Sequence, residues 1–159
     1  KRNIEWSKVD ITNEASRCLN CNTICNKCVD VCPNRANVEI KINHPVFKDS
    51  NQILHIDSLC NECGNCETFC PHNGAPYKDK FTLFSTLKDF NKSKNDGFVI
   101  TIENGKTKVV IKAEEKFQEI YEENLADLIY KNGAENKHLM MINEVLDNYS
   151  YFISKERSD

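Results

Sequence analysis

The sequence predicts an α+β fold, and three observations carry that expectation. Residues 37–42, Asn-Val-Glu-Ile-Lys-Ile, alternate apolar with polar side chains as a half-buried strand does, and residues 52–57 offer a partner strand. Asn104-Gly105 separates Phe98-Val-Ile-Thr-Ile-Glu103 from Lys106-Thr-Lys-Val-Val-Ile-Lys112, a strong hairpin signal because both turn positions need positive φ. Beyond residue 113, apolar residues recur twice at helical spacing.

Length and composition narrow the class. At 159 residues the chain is one domain or two small ones. Its 24 acidic and 21 basic residues are spread along the chain for a net charge of −3, which leaves no basic footprint for nucleic acid. No apolar run approaches the ~18 residues that span a bilayer, and no charged and then apolar leader opens the chain, so a cytoplasmic protein without a membrane partner is expected. Nine cysteines exceed ordinary cytosolic packing, and disulfides belong to oxidising compartments that nothing here indicates. Metal ligation is therefore the default. The five glycines, Gly64, Gly74, Gly97, Gly105 and Gly133, are too scattered for a G-x-G-x-x-G or Walker loop, which excludes nucleotide sites of those kinds.

Taken in order, residues 1–17 carry no clear period and begin at Lys1 rather than a methionine, which predicts a linker from an upstream domain. Between the strands at 37–42 and 52–57 lie the turn formers Asn43, Pro45, Asp49, Ser50 and Asn51, so these strands form a hairpin. Residues 73–90, with Pro76, Tyr77, Phe81, Leu83, Phe84 and Leu87, are expected to wrap and pack against the second cysteine run. The 98–112 hairpin follows. Phe117, Tyr121, Leu125 and Leu128 predict a helix from Ala113, stopped at Asn132-Gly133. Leu139, Ile142, Leu146, Tyr149 and Ile153 mark a second helix. Each has one apolar face, so both are expected to lie on the 98–112 hairpin. The expected divisions are residues 1–17 as linker, 18–88 as the cysteine-bearing domain, and 89–159 as a small α+β appendage of a hairpin and two helices.

The cysteines fall in two runs. Cys18-Leu-Asn-Cys21-Asn-Thr-Ile-Cys25-Asn-Lys-Cys28-Val-Asp-Val-Cys32-Pro33 is the first, and Cys60-Asn-Glu-Cys63-Gly-Asn-Cys66-Glu-Thr-Phe-Cys70-Pro71 the second. The second reads C-x₂-C-x₂-C-x₃-C-P, the pattern by which bacterial ferredoxins hold 4Fe-4S clusters, with the fourth cysteine ligating the other cluster in two-cluster proteins. Two C-x₂-C pairs alone would suit a zinc ribbon nearly as well, but two copies ending in C-x₃-C-P favour iron-sulfur. The resulting expectation is a ferredoxin-like domain with two 4Fe-4S clusters. Cys60, Cys63 and Cys66 with Cys32 would hold one, and Cys70 would close the other.

A shift of 38 residues places Cys25, Cys28 and Cys32 on Cys63, Cys66 and Cys70, but Asn22 stands where Cys60 requires a partner. A one-residue bulge gives Cys21, Cys25, Cys28 and Cys70 as the first-run set. The alternative uses Cys18 and Cys21 with Cys28 and loops out Cys25. Under the first set the ninth cysteine is a structural or sulfur-contacting residue, its blander reading being a buried free thiol. The same shift places Asn26 on Gly64, residues that tolerate the left-handed backbone expected where amides turn toward cluster sulfurs.

Other chemistry-bearing residues read as ordinary. His44, His55, His72 and His138 are scattered, with His72 taken as a surface residue, and Glu114, Glu115, Glu119, Glu122 and Glu123 form a solvated helix face. Lys78 and Lys80 are exposed lysines able to dock an acidic partner, and Tyr77 and Phe69 pack on a cluster.

Glu14-Ala-Ser-Arg-Cys-Leu-Asn-Cys21, Cys28-Val-Asp-Val-Cys-Pro-Asn-Arg-Ala-Asn-Val38, Cys60-Asn-Glu-Cys-Gly-Asn-Cys66 and Tyr77-Lys-Asp-Lys-Phe-Thr-Leu-Phe84 together resemble a known arrangement. They are similar to the C-terminal ferredoxin-like segment of the flavoproteins named as selenate reductases, large relatives of the glutamate synthase small chain. The similarity covers about residues 14–84. It implies a terminal electron-transfer module behind an upstream flavoprotein domain that binds FAD and NAD(P), passing electrons to or from a downstream redox enzyme, such as a molybdenum hydroxylase. In that reading this chain alone is a non-catalytic carrier within an oxidoreductase. A redox- or oxygen-sensing interaction module is the alternative.

Overall fold

The computed structural model describes residues 25–130 and 136–153. They form a six-stranded sheet whose strands follow in sequence order. The strands are β1 (Asn37–Lys41), β2 (Asn51–Ile56), β3 (Thr82–Phe84), β4 (Gly97–Glu103), β5 (Lys106–Ala113) and β6 (Lys116–Tyr121). β1 and β2 are antiparallel, β3 is parallel to both β2 and β4, and β4, β5 and β6 form an antiparallel meander. The helices are α1 (Lys27–Asp30), α2 (Asn65–Thr68), α3 (Pro76–Asp79), α4 (Leu87–Lys92), α5 (Leu125–Tyr130) and α6 (Lys137–Asn148). Among the described residues no helix is long and apolar enough to cross a membrane.

Both predicted hairpins form. Val38 pairs with Leu54 and Ile40 with Gln52, while Asn104 and Gly105 take φ of 52° and 75°, the pair of positive values that a type I′ turn requires. One face of the sheet presents Ile40, Leu54, Leu83, Phe98, Val109, Ile111 and Ile120 to α5 and α6, whose Leu125, Ile129, Leu139, Ile142 and Val145 complete a single core. The two helices therefore cover β1–β3 as well as the 98–112 hairpin. Each such fully buried aliphatic or aromatic side chain contributes about 1.5–3 kcal/mol. Asn136 begins α6 by accepting from the amides of His138 and Leu139, an N-cap placed as propensity predicts.

The opposite face carries two separate coverings. α4 lies over Phe84, Val99 and Val110 through Phe90, and α1 with α2 lies over Ile53 through Cys28 and Cys66. The cysteine-bearing turns thus sit on the β1–β2 end of this face.

Two expectations about elements are corrected. The helix predicted from Ala113 begins only at Leu125, and residues 116–121 are β6. Phe117 and Tyr121 are four apart, as on a helix, but they also share a strand face, and pairing with β5 decides between the two. Glu114 and Glu115 form the preceding turn with φ of 51° and 63°, so this hairpin lacks the Asn-Gly signature, and the Asp96 carboxylate accepts from the Glu114 amide instead. The expected helix face of Glu114, Glu115, Glu119, Glu122 and Glu123 is accordingly split between turn, strand and a 3-10 turn at Glu122–Asn124. Residues 73–90 do more than wrap: Phe81 and Leu83 enter the main core, and 82–84 form a central parallel strand too short to show a period. The predicted Asn132-Gly133 stop lies outside the described residues.

Candidate metal centre

The 38-residue repeat reappears bond for bond in the backbone. In the first copy Val29 and Asp30 donate to Asn26 O, Val31 to Lys27 O, Cys32 to Val29 O and Arg35 to Cys32 O. In the second, Glu67 and Thr68 donate to Gly64 O, Phe69 to Asn65 O, Cys70 to Glu67 O and Asn73 to Cys70 O. Each copy is a single helical turn closed by a Cys-Pro bend.

The bend has a chemical consequence that the repeat doubles. Arg35 and Asn73 occupy equivalent places and both take φ of 54°, uncommon for non-glycine residues. This left-handed step turns the next amide back onto the cysteine. Ala36 N–H donates to Cys32 Sγ at 3.2 Å, and Gly74 N–H donates to Cys70 Sγ at 3.3 Å. A third such bond runs from Glu62 N–H to Cys60 Sγ at 3.4 Å, with Glu62 at φ 52°. Sequence reasoning placed the left-handed positions elsewhere. Gly64 does adopt φ 78°, but Asn26 sits at φ −102° and ψ 19°, which needs no glycine, and its side chain donates to Glu39 at 3.4 Å. Asn73, a residue that accepts left-handed backbone more readily than most, was the available signal.

Cys32, Cys60, Cys63 and Cys66 line one small cavity of about 10 Å³, together with Asn34, Ala36, Asn37, Gly64 and Tyr77. Cys32 reaches it from the first run and the other three from the second. Cys28 and Cys66 are buried against each other's turns over Ile53, with Val29, Val31 and Tyr77 around them. Cys25 and Cys63 are exposed, and Cys70 lies outside the cavity lining, bonded to Gly74. None of the seven described cysteines is in a disulfide. Cys18 and Cys21 lie outside the described residues, and with them the choice between the bulged and looped first-run sets.

Electrostatics follow the grouping. Burial pushes the Cys60 thiol up, the Glu62 amide draws it down, and Cys32, Cys66 and the Glu62 carboxylate add upward pressure. Burial also raises Cys28, Lys80 opposes it, and Cys66 and Cys25 raise it further. Packed thiols resist ionising together unless a cation joins them, which is the condition that metal ligation reverses. Among the described residues no three His, Cys, Asp or Glu side chains converge so as to hold a metal ion.

Beneath the cysteine-bearing turns lies a pair that the sequence did not single out. His55 is 2 % exposed and Asn37 1 %, and they are directly paired across β1 and β2. Asn37 Nδ2 donates to Cys28 O at 3.2 Å, and His55 Nδ1 meets Asn37 Oδ1 at 3.0 Å. Burial pushes the His55 ring down to about 4, so it is neutral at pH 7. His72 is exposed, as expected of a surface residue, whereas His138 stacks on Phe81 at 4.4 Å between ring centroids. Tyr77 lines the cavity with Pro76 buried beside it in sequence, while Phe69 is largely exposed.

Comparison with known proteins gives a partial match. The chain is 59 % identical over 90 residues to "Putative oxidoreductase YgfK" of Escherichia coli K12, and equally to its counterpart in Escherichia coli O157:H7. The match takes in 57 % of this chain and 8 % of each relative's length. No family model and no solved structure matches.

Proposed function

We propose that this chain is an electron-transfer module that carries two 4Fe-4S clusters within a larger oxidoreductase. The observation that carries the reading is the cavity onto which both cysteine runs open, with Cys32, Cys60, Cys63 and Cys66 on its wall. These residues fit a four-iron cube: four soft thiol donors, one for each iron, on one cavity. Two cysteine runs that each end in C-x₃-C-P favour the cube over a zinc ribbon, for which C-x₂-C pairs alone would serve. The second cluster would take Cys70 with Cys21, Cys25 and Cys28, or with Cys18, Cys21 and Cys28 if Cys25 is looped out.

When bound, such a cube accepts and returns single electrons at a potential set by burial, charge and hydrogen bonds to sulfur. The chain's own part is to prepare that environment. The Ala36, Glu62 and Gly74 amides already point at Cys32, Cys60 and Cys70, where they stabilise negative charge on sulfur. Cys28 and Cys66 bring the two ligand turns together over Ile53, so the two clusters would be neighbours. The oxidoreductase name of the relatives agrees with a redox role, and the resemblance to flavoprotein C-terminal segments supplies the partners: an upstream domain holding FAD and NAD(P), and a downstream redox enzyme.

Anaerobic reconstitution tests this. About eight irons and eight sulfides per chain are expected, two cubes of four irons each. A broad absorbance near 400 nm should bleach reversibly on one-electron reduction. Stoichiometric zinc with no such absorbance would overturn the assignment, and clusters that cannot be cycled without unfolding would overturn the electron-transfer role.

A further inference from the structure

Asn37 makes contacts on both sides of the centre. It stands five residues beyond Cys32, at the first position of β1, on the sheet face that underlies the ligand turns. Its Nδ2 donates to the backbone carbonyl of Cys28, in the first-run turn, and its side lines the cavity of Cys32, Cys60, Cys63 and Cys66. One side chain therefore touches the peptide of one ligand turn and the wall of the other ligand set.

The orientation of that side chain is fixed by hydrogen-bond logic. Because Nδ2 is committed to Cys28 O, Oδ1 faces His55 Nδ1 and must accept, so His55 carries its proton on Nδ1. His55 is in turn held by its backbone N–H, which donates to Phe81 O at 3.0 Å, so the chain of bonds runs from the residue that precedes β3 to the first ligand turn. No buried side-chain polar atom among the described residues lacks a partner, and removal of either group would break that closure. The second copy of the repeat has nothing equivalent: a shift of 38 places Ala75 on Asn37, and alanine has no side-chain hydrogen bond to offer.

Building on the two-cluster reading above, we propose that Asn37, oriented by His55, is a positioning residue that holds the first-run ligand turn against the second-run cavity and so sets the geometry through which the two clusters interact.

The test uses the reconstituted chain and three variants. Asn37→Leu removes both side-chain bonds at similar volume, His55→Leu removes the orienting donor, and His55→Asn keeps an N–H donor near the place of ring Nδ1. The readouts are iron per chain, the spin–spin splitting in the paramagnetic resonance spectrum of the fully reduced protein, and the midpoint of each cluster. Asn37→Leu and His55→Leu should retain iron but lose the wild-type splitting pattern and change the gap between the midpoints, and His55→Asn should keep both. Unchanged splitting and midpoints in Asn37→Leu at full iron content would overturn the proposal. Should Asn37→Leu shed iron, the histidine pair decides: a changed pattern in His55→Leu restored in His55→Asn supports it, and His55→Leu identical to wild type refutes it. A wild-type chain that takes up no iron sinks the two-cluster reading and this proposal with it, whereas unchanged variants on an eight-iron wild type sink this proposal alone.

Discussion

Replacing Gly97 by alanine should cost more stability than any other single methyl added at a glycine of the sheet region. Gly97 opens β4 opposite Thr82 of β3, the seam where the two hairpins are joined into one sheet. A Cβ there would collide with the Thr82 carbonyl oxygen, and would stand 3.0 Å from Thr82 C and 2.8 Å from Phe84 Cε2, inside the 3.4 Å at which ordinary contact begins. Neither neighbour can yield cheaply. Thr82 is fully buried, with its amide bonded to Asp96 O at 3.0 Å and its hydroxyl to Lys80 O at 2.9 Å, and Phe84 packs edge-on against Phe90. Overpacking of this kind costs about 1–3 kcal/mol, and a strained ladder bond adds about 1 kcal/mol. The sum, roughly 2–4 kcal/mol, is a large part of the ~5–15 kcal/mol that holds a domain folded. Urea unfolding measures it: with m of about 1–3 kcal/mol/M the midpoint should fall by roughly 0.7–4 M. Gly105→Ala is the control, since its φ of 75° is strained for alanine but nothing lies within 4 Å, giving about 1–2 kcal/mol. A Gly97→Ala chain within ~0.5 kcal/mol of wild type, or a Gly105→Ala chain that loses as much as Gly97→Ala, would refute the clash at Thr82.

Two further outcomes follow from buried charge. His55 has a folded-state value near 4 against about 6.5 unfolded, so the unfolded chain binds the extra proton; stability is fully present above pH 6.5 and is lost as pH falls toward 4. The loss amounts to about 3 kcal/mol, and His138, also lowered by burial, acts in the same direction. Denaturant midpoints across that window should drop more steeply for wild type than for His55→Asn, and parallel slopes would contradict this. Lys112 is the other case. Its Nζ donates to Phe90 O at 3.0 Å and Ser93 O at 2.5 Å at the end of α4, with the rings of Phe84, Phe90 and Phe117 within 6.0 Å, and burial lowers its affinity for a proton. Lys112→Met keeps the stem but orphans two carbonyls, so a loss of roughly 2–4 kcal/mol is expected in the same urea assay, and an unchanged midpoint would show that water satisfies them.

What the sequence disclosed follows from how local each determinant is. The β1–β2 hairpin was legible because Val38 and Ile40 alternate with polar residues over one covered face, and the β4–β5 turn because Asn104-Gly105 states its own geometry. β6 was hidden because Phe117 and Tyr121 satisfy a period of 3.6 as well as one of 2, and because its turn is built from two glutamates braced by Asp96, a contact 18 residues away. β3 was hidden because three residues carry no period and its pairing on both sides is parallel and non-local. At the candidate site the two cysteine runs were plain in the sequence, and Cys32 stands on the wall of one cavity with Cys60, Cys63 and Cys66. The pair Asn37–His55 was not, since a histidine in a strand and an asparagine at a strand start say nothing until the register sets them side by side.

The repeat also shows where equivalence ends. Both copies share the helical turn, the left-handed residue after Cys-Pro, and the amide aimed at the fourth sulfur, so these features belong to the repeated cysteine turn itself. They part where each turn begins and where it is anchored. The second turn opens on Gly64 at φ 78°, preceded by Glu62 at φ 52° whose amide reaches Cys60, whereas the first opens on Asn26 in ordinary backbone tethered to Glu39. The first turn alone is bonded through its Cys28 carbonyl to the sheet below. A glycine entry lets the second turn adopt its shape from local backbone freedom, while the first is held in shape by side chains from β1. Substitutions on β1 should therefore disturb the first cysteine-bearing turn before the second, and the difference between the two runs is one of anchoring rather than of cysteine spacing alone.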